Sequence, residues 1–405
     1  MAVYCLSFID RKLPFILVES IKGDLHLSDT QIGLLTGLVF AGVYSLAALP
    51  LARIADRGSR KSLIAGALLL WSLLTMAGGW AQNFWQLALS RMGVAAGEAA
   101  CLPASHSLLA DYFSPRFRAR AIGLFTVGSP IGVLLGLALA GIINDLADWR
   151  MAMFVLGAPG IGLSLIIYYT VREPERSAEP KHGTGRGDAF NFSGMKAVAR
   201  YPVIVQLMIA MILYGITSAA TQAFVPAYII RSFGMSTSEV GLTYGVVFGC
   251  AGIIGALIGG IYGDRLRSIH PWRSVALVAG AVAICPPVTI LGLLSNSYPI
   301  FLICIFFTAT AFTIVGAPTF AAIQSILPPY LHASGSAIIM VGSSGLGMTL
   351  GPVITGMMSD ALQMLGPDKA LRIALIAISL PNLWAALHFA VAALKLRAVD
   401  IRELH

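Results

Sequence analysis

The chain has 405 residues, 57% of them hydrophobic and 11% charged, with a mean hydropathy of +0.81. A soluble protein carries about a quarter charged residues, so this composition excludes one and leaves a multi-pass membrane protein. The net charge of +8 does not point to nucleic acid, because the basic residues sit in short loops between apolar runs, as membrane topology requires.

Twelve apolar runs are long enough to cross a bilayer as helices. They cover about 1–21, 31–53, 62–81, 84–110, 118–143, 149–171, 202–228, 237–262, 273–295, 298–327, 333–360 and 370–395. The expected fold is therefore all-α, with six spans in residues 1–171, a polar loop at 172–200, and six more spans in 201–405. The first run carries Asp10, Arg11 and Lys12 and no small-residue cleavage site, so it is not read as a signal peptide. Its abrupt start predicts a few residues ahead of Met1. Basic residues mark one side: Arg57, Arg60 and Lys61 after span 2, Arg116, Arg118 and Arg120 after span 4, six from Arg172 to Arg200, then Arg265, Arg267, Arg273 and the tail. The opposite loops hold only Lys22, Arg150, Arg231 and Lys369 among acids. Both termini are expected in the cytoplasm of a cell-membrane protein. The five cysteines lie in apolar runs at no metal-like spacing and read as small buried hydrophobes.

Span 4 carries the sharpest signal, in the stretch WQLALSRMGVAAGEAACLPASHSLLADYF at residues 85–113. Glu98 sits near its middle, where an acid costs about 2.5–3.5 kcal/mol unless it faces a cavity or a partner. Arg91 and Ser105 lie two turns either side of it on the same face. A static ion pair between helices satisfies these residues, and so does a proton or substrate site. The second is the expectation. Arg91, nearer the other end of the span, either snorkels to the headgroups or pairs with an acid.

The halves repeat each other. LSDTQIGLLTGLVFAGVYSLAALPLARIADR at 27–57 aligns with MSTSEVGLTYGVVFGCAGIIGALIGGIYGDR at 235–265, with ten identities in 31 that include Gly33/Gly241, Phe40/Phe248 and Asp56/Asp264. Val127-Gly128-Ser129 in span 5 matches Val341-Gly342-Ser343 in span 11 more weakly. Two parallel six-span repeats are the signature of a carrier with its site between the halves. The pairs Gly132/Gly136, Gly255/Gly259 and Gly347/Gly351 read as small residues that let helices pack closely.

ARIADRGSRK around Asp56 resembles the loop 2–3 signature of the major facilitator superfamily, with Ala52 and Ser59 standing where that motif has glycines. GIYGDRLR at 260–267 is its weaker copy, and GSPIGVLLG and GMTLGP are similar to the glycine-proline motif of that superfamily's exporters. More narrowly, Asp10-Arg11, Arg91 with Gly97-Glu98-Ala99, and DRGSRK resemble the spinster family of lysolipid and sphingolipid transporters. The resemblance implies two six-helix bundles, alternating access, no cofactor beyond protons as coupling ion, and proton coupling and substrate handling by Asp10, Arg11 and Glu98.

Neighbouring residues on a helix point about 100° apart. The arrangement expected is Arg11 reaching to Glu98 while Asp10 faces the central cavity; a static lock between spans 1 and 4 is the alternative. A carboxylate that loses its Arg partner in a drier place takes up a proton more readily, which is a route to coupling. Asp56, Arg57, Arg60 and Lys61, with Asp264 and Arg265 in the copy, are expected to gate. Asp56 would latch onto the N-terminal end of span 11, and Asp264 would face Arg118 and Arg120 at the start of span 5.

Spans 7, 10, 11 and 12 hold no Asp, Glu, Lys or Arg in their interiors but offer Tyr214, Gln222 and Tyr228 among aliphatic and aromatic residues. Together with Arg91, these three are the candidate cavity residues, and a wall of this kind suits an amphipathic ligand. The expected function is proton-coupled transport of a lysophospholipid or sphingoid-type amphiphile by a monomer in the bilayer. The alternative is a drug exporter or an importer of small organic anions. An enzyme is not expected, since no G-x-S-x-G elbow is present, and no G-x-x-x-x-G-K-[ST] loop indicates ATP as the energy source.

Overall fold

In the computed structural model, which describes residues 1–174 and 192–403, every regular element is helical. Ten segments are long and apolar enough to cross a membrane: Asp29–Ala55 (span 2), Arg60–Gly78 (span 3), Arg116–Leu146 (span 5), Trp149–Thr170 (span 6), Pro202–Phe233 (span 7), Thr237–Ile269 (span 8), Pro271–Leu294 (span 9), Tyr298–Ile326 (span 10), Ser334–Ala361 (span 11) and Pro367–Ala398 (span 12). Two further helical stretches fall where spans 1 and 4 are expected. One is Ala2–Ile16, continued by Val18–Leu25; the other is Phe84–Tyr112. These two carry the mid-depth charges. Most of the expected polar loop, residues 175–191, lies outside the described residues.

The repeat is visible in how its helices begin. Ser28 accepts from the Gln31 backbone N–H while the Gln31 side chain accepts from Ser28 N–H, and Ser236 with Glu239 builds the same reciprocal box at the equivalent place in the second half. Spans 2 and 11 each contain a π-helical turn, Leu38–Gly42 and Val341–Gly347. Such turns break the regular ladder and recur at functional sites. These two spans also face each other across the halves.

Within the first half, span 3 packs on spans 4 and 6, span 1 on span 5, and span 2 on span 4. Within the second, spans 7 and 9 pack on span 12, and span 10 on spans 8 and 9. The halves meet along two seams, span 5 against span 8 and span 2 against span 11. The buried apolar residues divide unevenly between the two ends. Toward the loops that follow spans 1, 5, 7 and 11 (the far end, opposite the termini), one core joins both halves and runs from Leu13 and Leu137 to Phe224 and Val240. Toward the termini there are two separate cores, one in the first half around Trp71 and one in the second around Phe389. The molecule is thus joined at the far end and split at the terminal end.

Two equivalent glycines make the seams possible. A Cβ on Gly33 would stand 2.3 Å from the Pro352 carbonyl oxygen, and one on Gly241 would stand 2.3 Å from that of Leu137. Backbone cannot yield that far without moving a helix. Gly33→Val or Gly241→Val therefore wedges the far end open, and nitroxide distances across spans 2 and 11 at that end lengthen in either variant. Unchanged distances would mean that these contacts do not hold the seam. The other glycine pairs act inside each half. Gly132 and Gly136 seat span 5 on Cys5 and Ile9, Gly255 and Gly259 seat span 8 on Thr310 and Ile314, and Gly347 and Gly351 seat span 11 on Gly215 and Ile216.

Candidate functional site

Span 1 bends after Pro14 and passes the middle of span 4, which brings the mid-depth charges together. Arg11 Nε donates to Glu98 Oε2 at 2.6 Å, and Ser7 Oγ donates to the same oxygen at 2.9 Å. Glu98 is 1% exposed, and its other oxygen has no hydrogen-bond partner. The Arg11 guanidinium lies over the rings of Tyr44, Phe8 and Phe40, at 4.4, 5.1 and 5.7 Å. Phe40, in the π-helical turn of span 2, also receives Arg91 at 4.9 Å.

Arg11 reaches Glu98 as expected, but Asp10 does not face the central cavity. Arg11 keeps some exposure, whereas Asp10 is 2% exposed and turns into the first half, beside Trp71 and Thr75 of span 3. The 100° between neighbours is what separates them, and bulky Tyr44 and Phe40 offer the guanidinium its seat. Asp10, Arg91 and Glu98 interact electrostatically within this interior. Arg91 is also corrected. It neither snorkels nor lines the central cavity, being 2% exposed in a pocket bounded by Leu87, Ile32 and Met153 of the first half.

The second-half candidates separate in the same way. Gln222 lies at the seam and accepts from Lys12 Nζ at 2.7 Å. Tyr214 is half-buried, and its hydroxyl donates to the Phe312 carbonyl at 2.8 Å, tying span 7 to span 10. Tyr228 is fully buried among Phe233 and Phe301, with its hydroxyl on the Leu293 carbonyl. It is a packing residue and not part of the cavity.

A site that the sequence reading passed over closes the far end. Arg231, at the end of span 7, holds Asp29 through both Nη atoms at 2.8 and 2.7 Å and holds Glu19 through Nε and Nη2 at 3.0 and 2.7 Å. Lys22 and Ser359 complete the shell of Asp29 at 2.5 and 2.6 Å. Next to it, the Asp360 carboxylate accepts from the Asp29 and Thr30 backbone N–H groups, which caps span 2 from the other half. The second seam repeats this device: Asp145 at the end of span 5 accepts from Ser238 N–H at the start of span 8, at 2.7 Å. Each acid follows a glycine by one turn, Gly356 and Gly141, whose bare Cα lets the incoming helix end approach. Carboxylates at helix N-termini are favourable by about 0.3–1 kcal/mol, more when partly buried. The signal was present as G-x-x-x-D at the ends of spans 5 and 11, but nothing in one chain says which helix end it will meet.

The terminal end carries no such bonds across the halves among the described residues. The side chains of Asp56 and Arg57 lie outside the described residues. Arg60, expected to gate, is 2% exposed and joins Asp111, Ser107 and Glu173 within the first half. The Lys61 backbone N–H meets Glu173 at 2.8 Å, and its ammonium lies over Tyr168. Burial pushes the Glu173 carboxyl up, but Lys61 N–H, Arg60 and Ser59 outweigh it and hold it below the usual carboxylate range. Asp264 pairs with Arg267 at 3.3 Å, not with Arg118 or Arg120, and Arg118 instead donates to the Ala110 carbonyl. Arg265 is exposed. With separate cores at this end, the start of span 5 is out of reach of Asp264.

The sequence profile of the Major Facilitator Superfamily matches residues 1–352. The chain belongs to the Major Facilitator Superfamily. Members of this superfamily are transporters, not enzymes, and need no cofactor. This facilitator is 32% identical to an MFS-type efflux pump of Mycolicibacterium smegmatis over 404 residues, covering 98% of the chain and 92% of that protein. It is 26% identical to human protein spinster homolog 1 over 394 residues, covering 92% of the chain and 74% of the relative. Among solved structures, a bacterial homolog of the human lysosomal transporter Spinster, inward-facing and unoccupied, superposes with a TM-score of 0.88 at 26% identity, over 98% of this chain and 96% of that one. The spinster resemblance seen in Asp10-Arg11 and Gly97-Glu98-Ala99 thus extends over nearly the whole chain.

Proposed function

We propose that this facilitator is a proton-coupled transporter of an amphipathic, lipid-like molecule of the lysophospholipid or sphingoid type, working as a monomer by alternating access. The observation that carries the proposal is Glu98: a fully buried carboxylate at mid-depth, with one oxygen held by Arg11 and Ser7 and the other unpartnered. Release of Arg11 toward the cavity leaves an acid that is stable there only with a proton. Arg11 is the exposed member of the pair, so in this reading ligand and proton compete for one switch. The spinster relatives support the lipid-like substrate class. The efflux-pump relative at 32% identity supports a second reading, export of apolar drugs through the same site. The test is uptake into proteoliposomes under an imposed pH gradient, with lysolipids in one set and hydrophobic dyes in another. Accumulation of neither class overturns both readings.

In this reading the two sequence halves, 1–171 and 201–405, are the moving bundles, and the far end is the outer face, closed here by Arg231, Asp360 and Asp145. Both termini and residues 172–200 lie in the cytoplasm of a cell-membrane protein. Asp56 would take on span 11, at the inner face, the part that Asp360 takes on span 2. Single cysteines at Gly185 and Asn83, in a background without the native five, label from opposite sides of intact cells. Labelling from one side would overturn this topology.

A further inference from the structure

One charge remains unbalanced by the coupling cluster. At mid-depth Arg11, Lys12 and Arg91 face only two acids, Asp10 and Glu98. Lys12 is 7% exposed, and its ammonium donates to the neutral amide of Gln222, with no carboxylate within ion-pair distance among the described residues. The rings of Phe15 and Phe248 flank it at 4.5 and 5.6 Å. Tyr244, 2% exposed and with no partner for its hydroxyl, borders the same small pocket as Lys12 and Gln222, between Val133 and Leu137.

We infer that Lys12, Gln222 and Tyr244 form an oxyanion subsite between the halves, so that the transported amphiphile carries a phosphate or carboxylate with net negative charge. The inference rests on the amphiphile-transporter reading and names the headgroup within it. A buried cation without a counter-charge is costly, and an anion that pairs with it removes that cost. Three donors serve such an anion: the ammonium, the phenol O–H, and the Gln222 amide N–H once the amide turns from Ser218, where it now rests at 3.2 Å. Phe15, Val133, Leu137 and Phe248 give the adjoining chain an apolar wall. Lys12 comes from span 1, whereas Gln222 and Tyr244 come from spans 7 and 8. Rocking the halves apart therefore divides the donors and loosens the anion at the opposite face. A sphingoid base with a free ammonium is repelled by the same lysine.

The test uses the full chain in phosphatidylcholine nanodiscs and three probes of one chain length: dodecyl phosphate, laurate and dodecyltrimethylammonium. The wild-type protein is expected to bind one or both oxyanions at least about tenfold more tightly than the ammonium, the effect of a charge-assisted hydrogen bond. Phosphate over carboxylate, or the reverse, identifies the headgroup. Lys12→Met removes the preference, Lys12→Arg keeps it, and Tyr244→Phe weakens the oxyanions alone. Equal or tighter binding of the ammonium by the wild type, which needs no variant to fold, overturns the subsite, as does an intact preference in a folded Lys12→Met. Binding of none of the three overturns the amphiphile reading, and the subsite with it.

Discussion

Glu98→Gln abolishes proton-driven accumulation and leaves downhill exchange measurable. The amide preserves the size of the side chain and still accepts from Ser7 and Arg11, but it has no proton to release. The cost of burying the acid disappears, while Arg11 loses its counter-charge but keeps an amide oxygen to donate to and its seat over Tyr44 and Phe40. In proteoliposomes under a pH gradient, the ligand then only equalises across the membrane, and its rate no longer follows pH. Asp10→Asn gives a partial form of this defect. Asp10 is buried beside Trp71 and Thr75, so it acts on Glu98 through the shared field of the cluster, and such acids titrate together. Arg11→Lys transports poorly, because an ammonium cannot hold Glu98 while lying flat over Tyr44 and Phe40. Full pH-dependent accumulation in Glu98→Gln would move the coupling to Asp10, the remaining acid of the cluster.

Much of this was legible in the chain. Apolar length gave the spans, because a bilayer demands some twenty apolar residues per helix, and Glu98 stood out because an acid there needs a reason. The Arg11–Glu98 pair followed from depth alone. What failed was azimuth. Depth placed Asp10 and Arg91 correctly along their helices but not around them, since the seat of each side chain depends on neighbours such as Phe40, Trp71 and Thr75 from other spans. Tyr228 failed for the same reason: a tyrosine that faces a cavity and one that caps a carbonyl in the core look alike in sequence. The latch chemistry expected for Asp56, an acid on a helix N-terminus, is present twice in the structure, but at the far end and from Asp145 and Asp360. In the alternating-access reading proposed above, closure is needed at each end in turn, and Asp56 is the acid proposed to supply it at the terminal end.

Arg231→Gln opens the far end. Arg231 is the one cation from the second half in that network, and it is held by two acids of the first half, Asp29 and Glu19. Removing one partner of a buried ion pair costs about 3–5 kcal/mol, because the other charge is left behind. Lys22 remains on Asp29, which places the expected cost near the lower figure. Most of that cost falls on the far-closed state alone, since opening hydrates Asp29 and Glu19. About 3 kcal/mol is roughly a hundredfold shift in the ratio of the two states, enough to move a population that is mainly far-closed to one that is mainly far-open. Distances between spin labels on spans 1 and 7 at this end lengthen, while those at the terminal ends of spans 2 and 11 shorten. Asp360→Asn and Asp145→Asn shift the balance the same way by less, each losing the charge on one helix end. The seams are separate, so the effects of these two add when combined. A wild-type distance distribution in Arg231→Gln would show that the apolar core at the far end closes the molecule without its ion network.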